Sequence, residues 1–159
     1  MSTRSVIAVK TPKGWRGRYC QNNGYPTGNG AELVAIVTRE GYKAAVKQLT
    51  KDRYGWAHLD TDTAADDDQR VPAGDRFVAV AAYGVAYTTV DGMSEESDWI
   101  TNRGISGMLA WAYALDPQGV TVYRAGDGET WVELGHVSYT AEDADEQMGA
   151  IEDLAEIIL

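Results

Sequence analysis

The sequence predicts an α+β fold: an antiparallel sheet of about six strands, with two helices from the N-terminal half and one C-terminal helix packed on it. Three observations lead there. Short β-rich runs are joined by tight turn signals, two helical periods follow each other between residues 30 and 51, and a last helical period closes the chain. Consecutive strands with short connections favour an antiparallel meander over βαβ crossovers.

The elements follow in order. Ser5 to Val9 reads as a first strand, Pro12-Lys13-Gly14 as a turn, and Trp15 to Cys20 as the returning strand. Gly30 to Glu40 reads as a helix with Asn29 as N-cap and Glu32 at the capping-box position. Leu33, Ile36 and Val37 form its apolar stripe, and Gly41 ends it. Tyr42 to Lys51 reads as a second helix, apolar along Tyr42, Ala45, Val46 and Leu49, with Lys43, Lys47 and Lys51 stacked on another side. Asp60 to Arg70 is a polar acidic loop. Ala64, Ala65 and Val71 stand where a calcium loop needs ligands and glycine, so an EF-hand is rejected. Arg76 to Tyr83 and Val85 to Val90 flank Gly84, either as a hairpin or as one kinked strand. Gly107 to Leu115 and Val120 to Ala125 are separated by Asp116-Pro117-Gln118-Gly119, and Gly126-Asp127-Gly128 leads into a strand from Thr130 to Tyr139. The final helix starts near Thr140 and Asp143 and runs to Leu159, with Ala144, Met148, Ile151, Ala155 and Ile158 on its apolar face.

A chain of 159 residues suits a single domain, and no apolar run approaches the roughly 20 residues that cross a bilayer. The first residues, MSTRSVIAVK, lack the h-region of a secretion signal, and Cys20 is alone, so the expected setting is cytoplasmic. Net charge is −10, but residues 1–53 set ten Lys and Arg against Glu32, Glu40 and Asp52, a local +7, which leaves −17 for the remainder. An acidic surface on two-thirds of the chain opposes nucleic acid, so no direct nucleic-acid binding is expected.

The chemistry-bearing stretch is GRYCQNNGYPTGNG, residues 17–30, rich in glycine, amides and tyrosine just before the first helix. Gly24, Gly28 and Gly30 have neither Walker A nor Rossmann spacing. The physical ingredients still suit a small anion. A helix N-terminus attracts negative charge, and Gly28 and Gly30 permit close approach. Arg16 and Arg18 alternate on one strand face and can meet a phosphate. Tyr19 and Tyr25 offer flat surfaces, Gln21, Asn22 and Asn23 offer donors and acceptors, and Lys43 and Lys47 add attraction. Amides do not titrate near neutrality, so the kit is one for binding, with no catalytic residue, metal or cofactor assigned.

At this loop the sequence resembles a family of small phage and actinobacterial proteins marked by Tyr-x-His-Trp-Asp-Gly-Tyr-Pro. Tyr19, Gly24, Tyr25 and Pro26 fit, while Gln21, Asn22 and Asn23 replace His, Trp and Asp. The resemblance implies a phage or prophage accessory protein, acting in the host cytoplasm, and implies no known reaction. Together these readings predict a non-enzymatic protein that sequesters a small anionic ligand, a nucleotide-derived host defence signal. The first alternative is an acidic inhibitor that docks its C-terminal carboxylates on a basic host protein. The second is a hydrolase using His58 near Asp60. The apolar tail Ile157-Ile158-Leu159 offers a contact for a second copy of the chain.

Overall fold

β1 (Arg4–Thr11) and β2 (Gly14–Cys20) pair as an antiparallel hairpin, Ser5 opposite Cys20 and Thr11 opposite Gly14. The computed structural model describes residues 3–51, 55–64, 77–88, 99–105, 108–126 and 129–158. After β2 the chain makes a π-helical turn, Pro26–Gly30, that runs straight into α1 (Ala31–Glu40). Gly41 adopts φ 88° and separates α1 from α2 (Tyr42–Leu49). The remaining strands are β3 (Gly55–Leu59), β4 (Phe77–Val80), β5 (Gly84–Tyr87), β6 (Ile100–Thr101), β7 (Leu109–Leu115), β8 (Gly119–Ala125) and β9 (Trp131–Ser138). α3 (Ala144–Ile158) completes the described chain.

The α+β class holds, but the sheet is mixed and larger than the six antiparallel strands expected. Among the described residues it has nine strands in the order β4-β5-β3-β2-β1-β7-β8-β9, with β6 alongside β2. Two pairs are parallel, β2 with β3 and β1 with β7. The first is a crossover: the π-turn, α1 and α2 carry the chain back so that β3 restarts in the direction of β2. Only a connection of such length can link neighbouring parallel strands. The second joins residues about a hundred positions apart, and no local turn signal reports it. β4 and β5 form the hairpin alternative, turning through residues 81–83. Arg76, Thr89, Val90, Gly107, Asp127 and Gly128 lie outside the described residues, as does the expected acidic loop beyond residue 64.

β1 and β7 sit in the middle of the sheet and are covered on both sides, which is why they read as nearly continuous apolar runs. Ile7, Trp111, Tyr113 and Leu115 pack with Leu33, Ile36, Leu49, Met148 and Ile151 on the face that carries the helices. Val6, Ala8, Ala112 and Ala114 point the other way, into a smaller cluster with Trp15 and Leu109. α1 buries its expected stripe plus Val34, and α3 buries Ala144, Met148, Ile151 and Ala155. Ile158 departs from the expectation: it and Ile157 face solvent, and Leu159 lies outside the described residues. Among the described residues no helix is long and apolar enough to cross a membrane.

Candidate functional site

The parallel ladder between β2 and β3 outlasts the strands. Gln21 N–H donates to the Trp56 carbonyl at 2.9 Å and Asn22 N–H to that of Ala57 at 3.1 Å. The Asn22 side chain also donates to Ala57 O, at 2.9 Å. Asn23 then takes φ 63°, a left-handed conformation in which asparagine is among the least strained residues. That reversal brings Gly24 N–H to the Thr3 carbonyl (2.9 Å) and Asn29 N–H to the Asn23 carbonyl (2.8 Å). Tyr113 donates its hydroxyl to Gly24 O from the sheet below.

This construction leaves a cleft of about 460 Å³ at the carboxyl ends of β2 and β3, beside the first turn of α1. Thr3, Asn22, Asn23, Tyr25, Glu32, His58, Leu59 and Asp60 line it. The volume suits a small molecule, and the outer ends of parallel strands are where open α/β sheets commonly bind ligands. Tyr25 stands at the rim, 49% exposed. Glu32 accepts a hydrogen bond from Thr61 N–H at 3.2 Å, and Asp60 accepts one from Asp62 N–H at 2.9 Å. Each carboxylate is thereby oriented by a backbone N–H.

The expected site residues separate into groups. Asn22, Asn23 and Tyr25 reach the cleft. Gln21 does not line it, and pairs its side chain with the Tyr19 hydroxyl. Arg16 and Arg18 do share a face, as alternation requires, but both guanidinium groups lie over the Trp99 ring, at 4.3 and 3.6 Å. Arg18 is buried, and its Nε donates to the Thr50 carbonyl at the C-terminus of α2, where a cation offsets the negative end of the helix. Lys43 and Lys47 are exposed on α2 and do not line the cleft.

Gly28 and Gly30 serve packing rather than an open cradle. A Cβ on Gly28 would stand 2.5 Å from the Asn23 carbonyl, and one on Gly30 2.8 Å from Met148 Sδ. The helix N-terminus itself is occupied by the chain's own groups. Ala31 N–H bonds back into the π-turn, to Pro26 O and Gly28 O. Glu152 of α3 accepts from Thr27 N–H (3.3 Å) and from the Thr27 hydroxyl (2.8 Å), setting a carboxylate at the positive end.

Asn29 is not an N-cap, and Glu32 closes no capping box. The π-turn precedes α1, no side chain caps Gly30, and Asn29 is fully buried. Its amide NH2 faces Ser5 Oγ (3.0 Å), Asn22 O (3.1 Å) and Cys20 Sγ (3.3 Å), which ties β1 and β2 to the loop. Burial pushes the Cys20 thiol up to about 12 despite that hydrogen bond, so the sulfur is a neutral packing atom and no nucleophile.

Glu32, His58 and Asp60 are the lining groups that the loop reading missed. His58 and Asp60 belong to the end of β3, and without β3 nothing in the sequence places them beside Asn22. Among the described residues no trio of His, Cys, Asp or Glu is close enough to hold a metal ion. The cleft can offer hydrogen-bond acceptors, an imidazole able to move a proton, and a phenol edge. Among the described residues its lining sets two carboxylates against one histidine and no lysine or arginine. The sequence matches no protein-family model, and comparison with curated proteins and solved structures finds no significant similarity.

Proposed function

We propose that this chain is a binding protein that holds a small polar molecule in the cleft at the ends of β2 and β3. One observation carries the reading: loop amides, Tyr25 and the oriented carboxylates of Glu32 and Asp60 converge on one cavity of about 460 Å³. Such a lining favours a ligand that presents several N–H or O–H donors and is neutral or cationic. Phosphate would meet the carboxylates of Glu32 and Asp60, and the described lining residues include no lysine or arginine, so the nucleotide-derived signal narrows to its nucleoside portion. The resemblance of the loop to phage and actinobacterial proteins supports an accessory role in a host cell.

Isothermal titration with matched nucleosides, nucleotides and small amines tests this reading. Heat is expected with a nucleoside or an amine, weaker heat with the phosphorylated counterpart, and weaker binding still after Glu32→Gln or Asp60→Asn. Tighter binding of the nucleotide, or no heat with any compound at millimolar concentration, overturns it.

A second reading has its own observation. Glu142, Asp143, Asp145 and Glu146 are all exposed around the start of α3, a carboxylate surface suited to a basic protein partner. Salt-sensitive capture of a basic host protein, lost when all four are neutralised, supports it; capture that survives neutralisation removes it.

A further inference from the structure

A second cleft, of about 280 Å³, lies between the last turns of α3 and the β7–β8 pair. Trp111 and Arg124 line it from the sheet, Glu152 and Glu156 from the helix, and Tyr25 from the loop. Of the described lining residues only Tyr25 also borders the cleft at the ends of β2 and β3. Arg124 is held on one side. Its Nη1 donates to the Ala110 carbonyl at 2.9 Å, and its Cζ stands 5.1 Å from the centroid of the Trp111 ring. Its Nε and Nη2 meet no acceptor among the described residues, and neither is a buried atom.

The two carboxylates differ. Glu152 is engaged, its Oε1 accepting from the Thr27 N–H and hydroxyl. Glu156 is exposed and makes no hydrogen bond or ion pair among the described residues. Arg124 and Glu156 therefore line one cleft without neutralising each other, a cation anchored from behind and a carboxylate left open. Opposite charges held apart around a small cavity are complementary to a molecule that carries both charges itself.

We propose that this cleft binds a free α-amino acid with an apolar side chain. The ligand carboxylate takes the open edge of Arg124, whose planar donor set matches a carboxylate through two parallel bonds. The ligand ammonium faces Glu156. Tyr25, 49% exposed, offers the apolar side chain a flat surface. A simple anion would meet Glu152 and Glu156 as well as Arg124, and a simple amine would leave Arg124 unmatched. The cavity also falls just below the roughly 300 Å³ at which drug-sized pockets begin, which suits a ligand this small. The inference stands apart from the reading of the cleft between β2 and β3.

Two-dimensional 1H–15N NMR of the full chain tests the proposal, with the Trp111 indole resonance as reporter, assigned by its loss in Trp111→Phe. The probes are L-phenylalanine and L-leucine, with phenethylamine lacking the carboxylate and 3-phenylpropionate lacking the ammonium. A saturable shift is expected with at least one amino acid, and each phenylalanine analogue should bind about tenfold more weakly, the loss of one charge-assisted hydrogen bond. Arg124→Gln should erase the preference for phenylalanine over phenethylamine, and Glu156→Gln the preference over 3-phenylpropionate. Thermal midpoints of both variants check the fold; should Arg124→Gln unfold, Arg124→Lys and the exposed Glu156→Gln still carry the test. Absence of a shift with both amino acids at millimolar concentration overturns the proposal. So does an analogue that binds as tightly as phenylalanine, or an unchanged affinity for phenylalanine in Glu156→Gln.

Discussion

The loop from Gln21 to Gly30 has an inner and an outer set of residues, and they do opposite work. Asn29, Gly24, Gly28 and Gly30 face inward, where amide hydrogens bond Ser5, Cys20 and Asn22 and bare Cα positions admit Thr3, Asn23 and Met148. Asn22, Asn23 and Tyr25 face the cleft. One composition of glycine and amide thus serves both a rigid joint and a recognition surface. The distinction is one of direction, which residue type alone does not encode. It makes a clean expectation: inner substitutions cost stability, and outer ones cost binding.

The largest effect belongs to Asn29. Asn29→Leu removes the buried amide donor that reaches the Ser5 hydroxyl and the Asn22 carbonyl and is expected to lower unfolding free energy by about 3 kcal/mol. Urea unfolding measures it, and a loss under roughly 0.5 kcal/mol would make the inner set dispensable. Glu152→Gln comes next. It removes the carboxylate at the positive end of the π-turn and α1, at a cost of about 1 kcal/mol. Thr27→Ala removes the other side of the same contact, so the double variant should lose clearly less than the sum of the two. Additive losses would mean that Glu152 and Thr27 act separately and that the helix end is open to an external anion after all.

How much of this was legible follows from the range of each interaction. The β1–β2 hairpin, α1, α2, the α3 stripe and the Asp116 turn are local patterns, and each stands within a few residues of its reading. β3 was missed because Gly55–Leu59 is five residues containing Trp and His, too short and too mixed to show a period. β6 has two residues, and its pairing with Arg16 and Gly17 is invisible without the fold. The loop was legible as special, yet half of the cleft comes from β3 and the first turn of α1. Arg16 and Arg18 show the same limit. Alternation placed them correctly on one face, but only the packing of Trp99 and the end of α2 decides that the face is structural.

A third test compares the cleft end of the sheet with the far end, where Asp116 holds the β7–β8 turn. Burial pushes the Asp116 carboxyl up, but N–H bonds from Gln118 (2.7 Å) and Gly119 (2.9 Å), together with Lys10 at 3.1 Å, outweigh it and leave the group below its ordinary value. A carboxyl depressed in the folded state contributes stability above its unfolded pKa, about 4, and that contribution disappears as pH falls through the folded value. Wild type should therefore exceed Asp116→Asn in thermal midpoint at neutral pH and converge on it in acid. A gap that stays constant down to about pH 2 would assign the effect to geometry rather than charge.

The smallest effect on stability, and the sharpest test of the comparison, is at the outer set. Alanine at Asn23 would confuse the result, because φ 63° strains a residue whose side chain cannot bond locally. Glycine adopts that backbone freely, so Asn23→Gly deletes the amide and keeps the turn. Tyr25→Ala removes a half-exposed ring at the rim. Both should unfold within about 0.5 kcal/mol of wild type while weakening ligand capture in the cleft by about tenfold or more. Thermal unfolding and titration on the same preparations separate the two quantities. If Asn23→Gly instead destabilises as strongly as Asn29→Leu, the outer amide is part of the joint, and the division between inner and outer residues fails where recognition is supposed to begin.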